Sequence, residues 1–415
     1  PQGERVSATG VTPGAAVTPR WTRTGTHVAV ISPASIDLYD AAKGTLQRSY
    51  GKLDPLGNAA AALSADGRRL LTVQGTSGVL RDAETGQELS RWNDFPIAKG
   101  SLIWSPAGAW LAVVGPSQPG NLRLVDTESG SLKQPPNTQS LAVRAFAWNS
   151  DGSQFAVGDD LAVRICETGS GEVLKECRHE VPVLHAAWSP DGKWLATMAG
   201  DLQIRIWNVA SGQLERTTAA LPAPYRPCLA WSPDSSELVA ALDTGEVYRI
   251  EAASGKVTGL AFRLRSTDYP DALPIAALAW SPDGECLLAS GSAEAALWYR
   301  TTGTLRRLDR IGDQTVWLPD SKRLFRGTWE SYLKTGHDAA TGHRLGTLLP
   351  QIGDDGWLLI GPAGHYQGSA KIDENLLYVT LTDQGQQATY APAEFAAQFA
   401  WQNNPTKARL LQVEP

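Results

Sequence analysis

The sequence predicts an all-β chain folded as a closed ring of repeated four-stranded antiparallel sheets. Three observations carry that prediction. A tryptophan-centred turn motif recurs with a period of about 40 residues, a hairpin glycine keeps phase with it, and 40 Gly with 26 Pro among 415 residues supply the tight turns that many short strands require. The clearest copy runs Trp188-Ser-Pro-Asp-Gly192, Lys193-Trp-Leu-Ala-Thr197, Leu202-Gln-Ile-Arg-Ile-Trp207 and Asn208-Val-Ala-Ser-Gly212. Pro190 presets φ and Gly192 accepts a left-handed backbone, so the first segment turns a hairpin between two alternating strands. The Ala-Ser-Gly segment turns the next one.

The Trp188 slot recurs at Trp21, Leu63, Trp104, Trp148, Trp188, Trp231, Trp280, Trp317 and Ile360, with successive spacings of 42, 41, 44, 40, 43, 49, 37 and 43. The hairpin glycine falls at Gly44, Gly86, Gly130, Gly171, Gly212, Gly255, Gly303, Gly342 and Gly385, always 23 to 26 residues after its slot. Two markers in phase over nine copies predict nine blades of a β-propeller. Eight is the fallback, in which residues from Ile360 onward, with the irregular Lys371-Ile-Asp-Glu-Asn375 insert, form an appendage.

These motifs resemble the WD40-repeat propellers, through Trp-Ser-Pro-Asp-Gly at Trp188 and Trp280 and its Ser235 variant at Trp231. The resemblance covers residues 16–390 and is of a degenerate, bacterial type with a C-terminal extension. The slot of the dipeptide that names the family holds Trp207-Asn208, Tyr39-Asp40, Arg81-Asp82, Val125-Asp126, Ile250-Glu251 and Trp298-Tyr299. The resemblance further implies a buried network joining a His before the first strand to an Asp before the third. His179 fits the His position, with Arg178 in place of the usual Gly, and Asp201 and Asp160 fit the Asp position. One fitting His among nine copies leaves most blades to apolar packing of Trp, Leu, Ile and Val.

Residues 1–15 read as an N-terminal segment and 391–415 as a helix with a tail. Pro392 stands near the helix start and Phe395 and Phe399 share a face, which is expected to dock on the propeller, while Trp401 points elsewhere. The block Gly356–Gly368 resembles tails that follow WD40 arrays in multidomain bacterial proteins. The start at Pro1, without Met or an apolar leader, is consistent with a processed product or a piece of a longer chain.

Composition and motif spacing argue against most chemistry. The net charge of −6 gives no footprint for nucleic acid or an anionic membrane, and no apolar run approaches the ~18 residues of a span. Cys166, Cys177, Cys228 and Cys286 lie in different predicted strands without metal-ligand spacing, which predicts buried free thiols and a fold indifferent to reductant, and favours the cytoplasm without fixing the location. No G-x-S-x-G elbow occurs, Gly169-Ser170-Gly171 being a hairpin. Gly51-Lys52, Gly192-Lys193 and Gly255-Lys256 lack the rest of a phosphate loop. His179, Glu180 and His185 miss the helical zinc spacing across Pro182, and Asp354-Asp355 lacks the other oxygens of a calcium loop. No cofactor or metal is expected.

The expected function is therefore a monomeric, non-enzymatic scaffold that binds a protein or peptide through loops on one rim. The rival is a quinoprotein-like propeller dehydrogenase, since Asp82-Ala-Glu-Thr85-Gly86 followed by Trp92 resembles that family's docking repeat. A propeller within a larger multidomain protein is a further alternative. The long connection Phe262–Pro274 carries the candidate partner-binding residues Arg263, Arg265, Tyr269 and Asp271, with Asp268 able to orient them. Arg and Tyr are types enriched at interaction hot spots.

Overall fold

The computed structural model describes residues 18–408 except 22–26, 32–34, 41–45, 53–58, 65–67, 75, 84, 96–100, 116–119, 137, 140, 223–227, 243, 265–274, 276, 292–294, 309–313, 318–319, 328–333, 353–355, 362, 369–371, 377 and 382–386. Among the described residues the chain forms seven four-stranded antiparallel sheets, one six-stranded sheet, a two-stranded pair and one short α-helix. The strands of each sheet follow chain order, so every connection inside a sheet is a hairpin. Sheets are numbered here in chain order.

Each slot residue is the last residue of its strand. The first strands of sheets one to eight are Thr18–Trp21, Ala59–Leu63, Ser101–Trp104, Ala145–Trp148, Val183–Trp188, Cys228–Trp231, Ala277–Trp280 and Gln314–Trp317. These inner strands stand beside one another: Ala145–Trp148 neighbours Val183–Trp188, then Cys228–Trp231, Ala277–Trp280 and Gln314–Trp317 follow. The six-stranded sheet in turn lies next to the first, with Arg323–Gly327 beside Thr18–Trp21. The apolar clusters of sheets two to eight each span two neighbouring sheets, as where Val163, Ile165 and Cys177 of sheet four pack with Val183, Trp188, Leu195 and Trp207 of sheet five. A further cluster joins Leu358 and Tyr366 of the six-stranded sheet to Ile372 and Leu376. The core is therefore a series of seams between sheets.

The repeated tryptophan does more than fill these seams. An inner strand is a sheet edge, and its outward carbonyls need donors. Trp148 Nε1 donates to Ile103 O at 2.9 Å, Trp231 to Ala187 O at 3.0 Å, Trp280 to Ala230 O at 3.4 Å and Trp317 to Ala279 O at 2.9 Å. Each acceptor precedes the slot residue of the preceding sheet, so the indole bolts one sheet to the last. Trp188 Nε1 is buried and finds no such partner among the described residues.

Two turn motifs repeat. After the slot residue, Ser64, Ser105, Ser189, Ser232 and Ser281 are almost completely buried, and each Oγ accepts from the N–H five residues on, as in Trp194 N to Ser189 Oγ at 2.9 Å. Asn149 Oδ1 does the same for Gln154 N. Gly192 sits at φ 71°, and Ser235 takes the equivalent strained position at φ 58°. In the turn ending the third strand, a carboxylate or amide accepts from the residue three on: Asp82 Oδ1 takes both Thr85 N–H and hydroxyl at 2.7 and 2.8 Å. Asp338 holds Thr341 in the same way.

The prediction of nine like blades is corrected to seven regular four-stranded blades, rather than nine or eight. Ile360 ends Gly356–Ile360, which pairs with the outer strand Arg344–Ile352 and then with Tyr366–Gly368, so both strands extend the six-stranded sheet. Crossing from an outer to the next inner strand spans about 14 Å, three strand spacings, which residues 353–355 barely cover when extended. The hairpin is the short route. Gly44 and Gly385 lie outside the described residues, and Tyr378–Leu381 with Gln387–Tyr390 forms an isolated pair. The 371–375 insert contains a 3-10 turn, Ile372–Asn375. Helix Pro392–Phe399 buries Phe395, and Trp401, expected to point away, packs edge-on against Phe395 at 5.8 Å and stacks on His365 at 5.1 Å. A left-handed Ala400 at φ 50° turns the chain back to allow it.

Candidate interaction surface

One rim gathers the turns before the third strands and the connections leaving the outer strands. Their backbones latch: Phe95 N donates to Thr76 O at 2.6 Å, His179 N to Leu161 O at 2.7 Å, Leu221 N to Leu202 O at 3.0 Å and Leu264 N to Gly245 O at 2.8 Å. The latching side chain is a buried plug. Phe95, Leu221 and Leu264 are at most 3% exposed, and His179 fills the same place at 6%. The scarcity of histidines has a physical cause here, since an apolar side chain seals the connection without a polar partner.

In sheet five the polar version forms in part. His179 Nε2 lies 3.2 Å from Thr197 Oγ1, which accepts Trp207 Nε1–H at 2.9 Å. Asp201, expected to complete this chain, instead binds Arg205 at 2.5 Å, and His179 Nδ1 has no partner among the described residues. Asp160 likewise pairs with Arg144, at 2.6 Å on the surface. Burial, and next the Arg205 charge, push His179 down to about 4 against the weaker pull of Asp201, so the ring is neutral near pH 7. Burial also lowers His185 to about 4.

Around these plugs the rim of sheets four to six carries paired charges. Asp159 Oδ1 accepts from Leu161 N and Ala162 N at 2.9 Å, and Oδ2 meets Arg164 at 2.7 Å. Burial opposes ionisation of Asp159, but those hydrogen bonds and the guanidinium outweigh it, holding its carboxyl below the ordinary range. Arg164 also reaches Glu176 at 3.3 Å. Leu161 stands at the tip of this turn, 62% exposed.

Of the residues expected to bind a partner, Arg263 is engaged at home. It closes an ion pair with the nearly buried Glu246, whose other oxygen accepts the Tyr248 hydroxyl at 3.1 Å. It therefore anchors the base of the long connection. Arg265, Asp268, Tyr269 and Asp271 lie outside the described residues. The four cysteines are free, with Cys166, Cys177 and Cys286 buried and Cys228 half-buried. Trp92, which suggested a docking repeat, donates Nε1–H to Gly130 O of the next sheet at 3.1 Å, a single bolt between sheets two and three. Among the described residues no group of three or more His, Cys, Asp or Glu could hold a metal, and no helix is long and apolar enough to cross a membrane. Missed in sequence were the Ser after the slot and the acceptor-to-Ser/Thr pairing before the hairpin glycine. Both recur at fixed spacing.

Sheets seamed by side chains and carrying loops on their rims define a β-propeller of repeated units. The WD40 family profile (WD domain, G-beta repeat) matches residues 171–208, and the chain is similar to WD40-repeat proteins. It is 29% identical over 137 residues to a WD repeat-containing protein SL1-17 of Schistosoma mansoni, covering 33% of this chain and 45% of that protein. It is 29% identical over 185 residues to WD repeat-containing protein slp1 of Schizosaccharomyces pombe, covering 43% and 36%. With the COMPASS component SWD3 of Saccharomyces cerevisiae the figures are 27% over 166 residues, 39% and 50%. The matches thus span half or less of these relatives' own length, and all three are eukaryotic, which lends no support to a bacterial type. In fold, the chain is similar to the computationally designed Ika8 protein (TM-score 0.60, 19% identity, 78% of this chain and 96% of that one). KlHsv2 with a loop replaced by a Gly-Ser linker gives TM-score 0.53 at 15% identity, covering 72% and 99%.

Proposed function

We propose that the chain is a non-enzymatic scaffold that binds a protein or peptide through the rim carrying the plugs and the 263–274 connection. The supporting observation is the way this rim is built. Its backbone is latched and its base sealed, so the turn tips, and Arg263 and Leu264 at the base of the long connection, stand on a rigid support, the arrangement that binding loops use. One relative is by name a component of a complex, which favours the same reading. The relatives offer no support for the dehydrogenase alternative.

Within that rim, Arg265, Tyr269 and Asp271 are assigned to the partner, and Arg263 to holding the connection through Glu246. A cytoplasmic monomer is the form in which we place it. The test is recovery of partners from the native source by the unaltered chain and by an Arg265→Ala, Tyr269→Ala double variant of equal melting temperature. Binding weakened by ~1 kcal/mol or more per residue supports the assignment. Equal binding moves the site to the other rim, and turnover of ester, phosphate or alcohol substrates lost on a single substitution would overturn the non-enzymatic reading.

A further inference from the structure

The outer strand of a sheet is an edge that invites pairing, and charged side chains are a common way of discouraging it. Sheets two to seven follow that rule. Their outer strands carry Glu88 and Arg91, Lys133, Lys175 with Glu176 and Arg178, Glu215 and Arg216, Arg263, and Arg306 with Arg307. The last strand of the six-stranded sheet, Tyr366-Gln-Gly368, has no charge. It is guarded differently.

The chain's own tail lies along that edge. Tyr366 N donates to Asn403 Oδ1 at 2.9 Å, and Asn403 Nδ2 donates to Tyr366 O at 2.9 Å. One side-chain amide thus makes both bonds that the peptide groups of a neighbouring strand would make. Gln367 Nε2 donates to the carbonyl of the buried Ala408 at 3.2 Å, and Asn404 N to His365 Nδ1 at 3.1 Å. The Trp401 ring on His365 holds the start of the segment in place.

We propose that Tyr366–Gly368 is a strand-pairing surface for a second copy of this chain, and that tail residues 401–408 occupy it in that copy's place. The edge is self-complementary. Tyr366 turns both N–H and C=O outward, so two copies related by a two-fold axis can pair antiparallel, Tyr366 to Tyr366, with no like charge opposed. Asn403 is the positioning residue that blocks this pairing.

The experiment uses a chain ended after Gln402, which keeps the Trp401 stack and removes the amide. Sedimentation should show the unaltered chain at the mass of one copy, and the shortened chain rising with concentration towards twice that mass. Adding Gly368→Pro, which removes the next outward N–H of the edge, should return it to one copy. A shortened chain that stays single while its circular dichroism is unchanged would sink the proposal, as would an unaltered chain already paired or a dimer indifferent to Gly368→Pro. Should the shortened chain not fold, full-length Asn403→Ala decides. It should exchange the Tyr366 amide at least tenfold faster and self-associate, and unchanged exchange and mass would overturn the idea.

Discussion

Arg300 of sheet seven places Nε 3.2 Å from Glu237 Oε2 of sheet six, across the seam between them. Glu237 is 7% exposed, and Arg249 holds its other oxygen. Arg300 also reaches Asp234 at 3.0 Å and Ser236 at 2.9 Å and lies over the Trp280 ring. Removing it leaves a buried carboxylate with one cation. Breaking a buried pair costs about 3–5 kcal/mol, and with Arg249 still in place Arg300→Ala should cost about 2–3 kcal/mol. Glu237→Gln, which removes the charge, should cost less. Urea denaturation of both variants checks the order.

The indole bolts predict an asymmetry between two otherwise similar tryptophans. Trp231→Phe loses a hydrogen bond to Ala187 O and leaves that carbonyl without its donor, an added cost of about 1–2 kcal/mol beyond the lost packing. Trp188→Phe removes an N–H that has no partner among the described residues, and should lose little beyond packing. Equal losses measured by denaturation would refute the bolt.

Stability should fall as the solution is acidified below about pH 6.5. His179 is at about 4 in the fold against 6.5 ordinarily, so the unfolded chain binds the extra proton between these values. The contribution is whole above pH 6.5 and is lost progressively down to about pH 4, on the order of 3 kcal/mol at one pKa unit per 1.36 kcal/mol. Below that, turn carboxylates held low, such as Asp191, Asp201 and Asp320, add a further loss in the same direction as they protonate. Melting curves from pH 8 to 4 should show the decline, and His179→Leu, copying the plugs of other sheets, should remove its own share and leave that of His185, which burial also lowers to about 4.

The thiols should be silent in the native protein. Burial pushes Cys166, Cys177 and Cys286 up to about 12, so none of the three offers thiolate at pH 8. Titration with a chromogenic disulfide should leave them unmodified until denaturant is added, and dithiothreitol should not move the melting temperature. Rapid native labelling of these three would contradict their burial.

The class of fold was legible because its causes are local and repeat. Trp188-Ser-Pro-Asp-Gly192 and Ala-Ser-Gly212 specify hairpins through φ preferences and short-range hydrogen bonds, and eight slots from Trp21 to Trp317 each end an inner strand. The ninth failed for the same reason. Gly356–Ile360 has the alternation and spacing of a strand, but spacing cannot say which edge a strand joins, and the free edge of Arg344–Ile352 took it. The site was legible only in outline. Which residue plugs each connection, that Asp201 turns to Arg205 rather than His179, and that Arg263 is spent on Glu246 are decided by competition among neighbours far apart in sequence. The strands, their turns and the propeller class came from the sequence, since each follows from a few adjacent residues. Tertiary structure alone decided the blade count, the indole bolts and the amide of Asn403 on the last edge, because these depend on which surfaces meet when the ring closes.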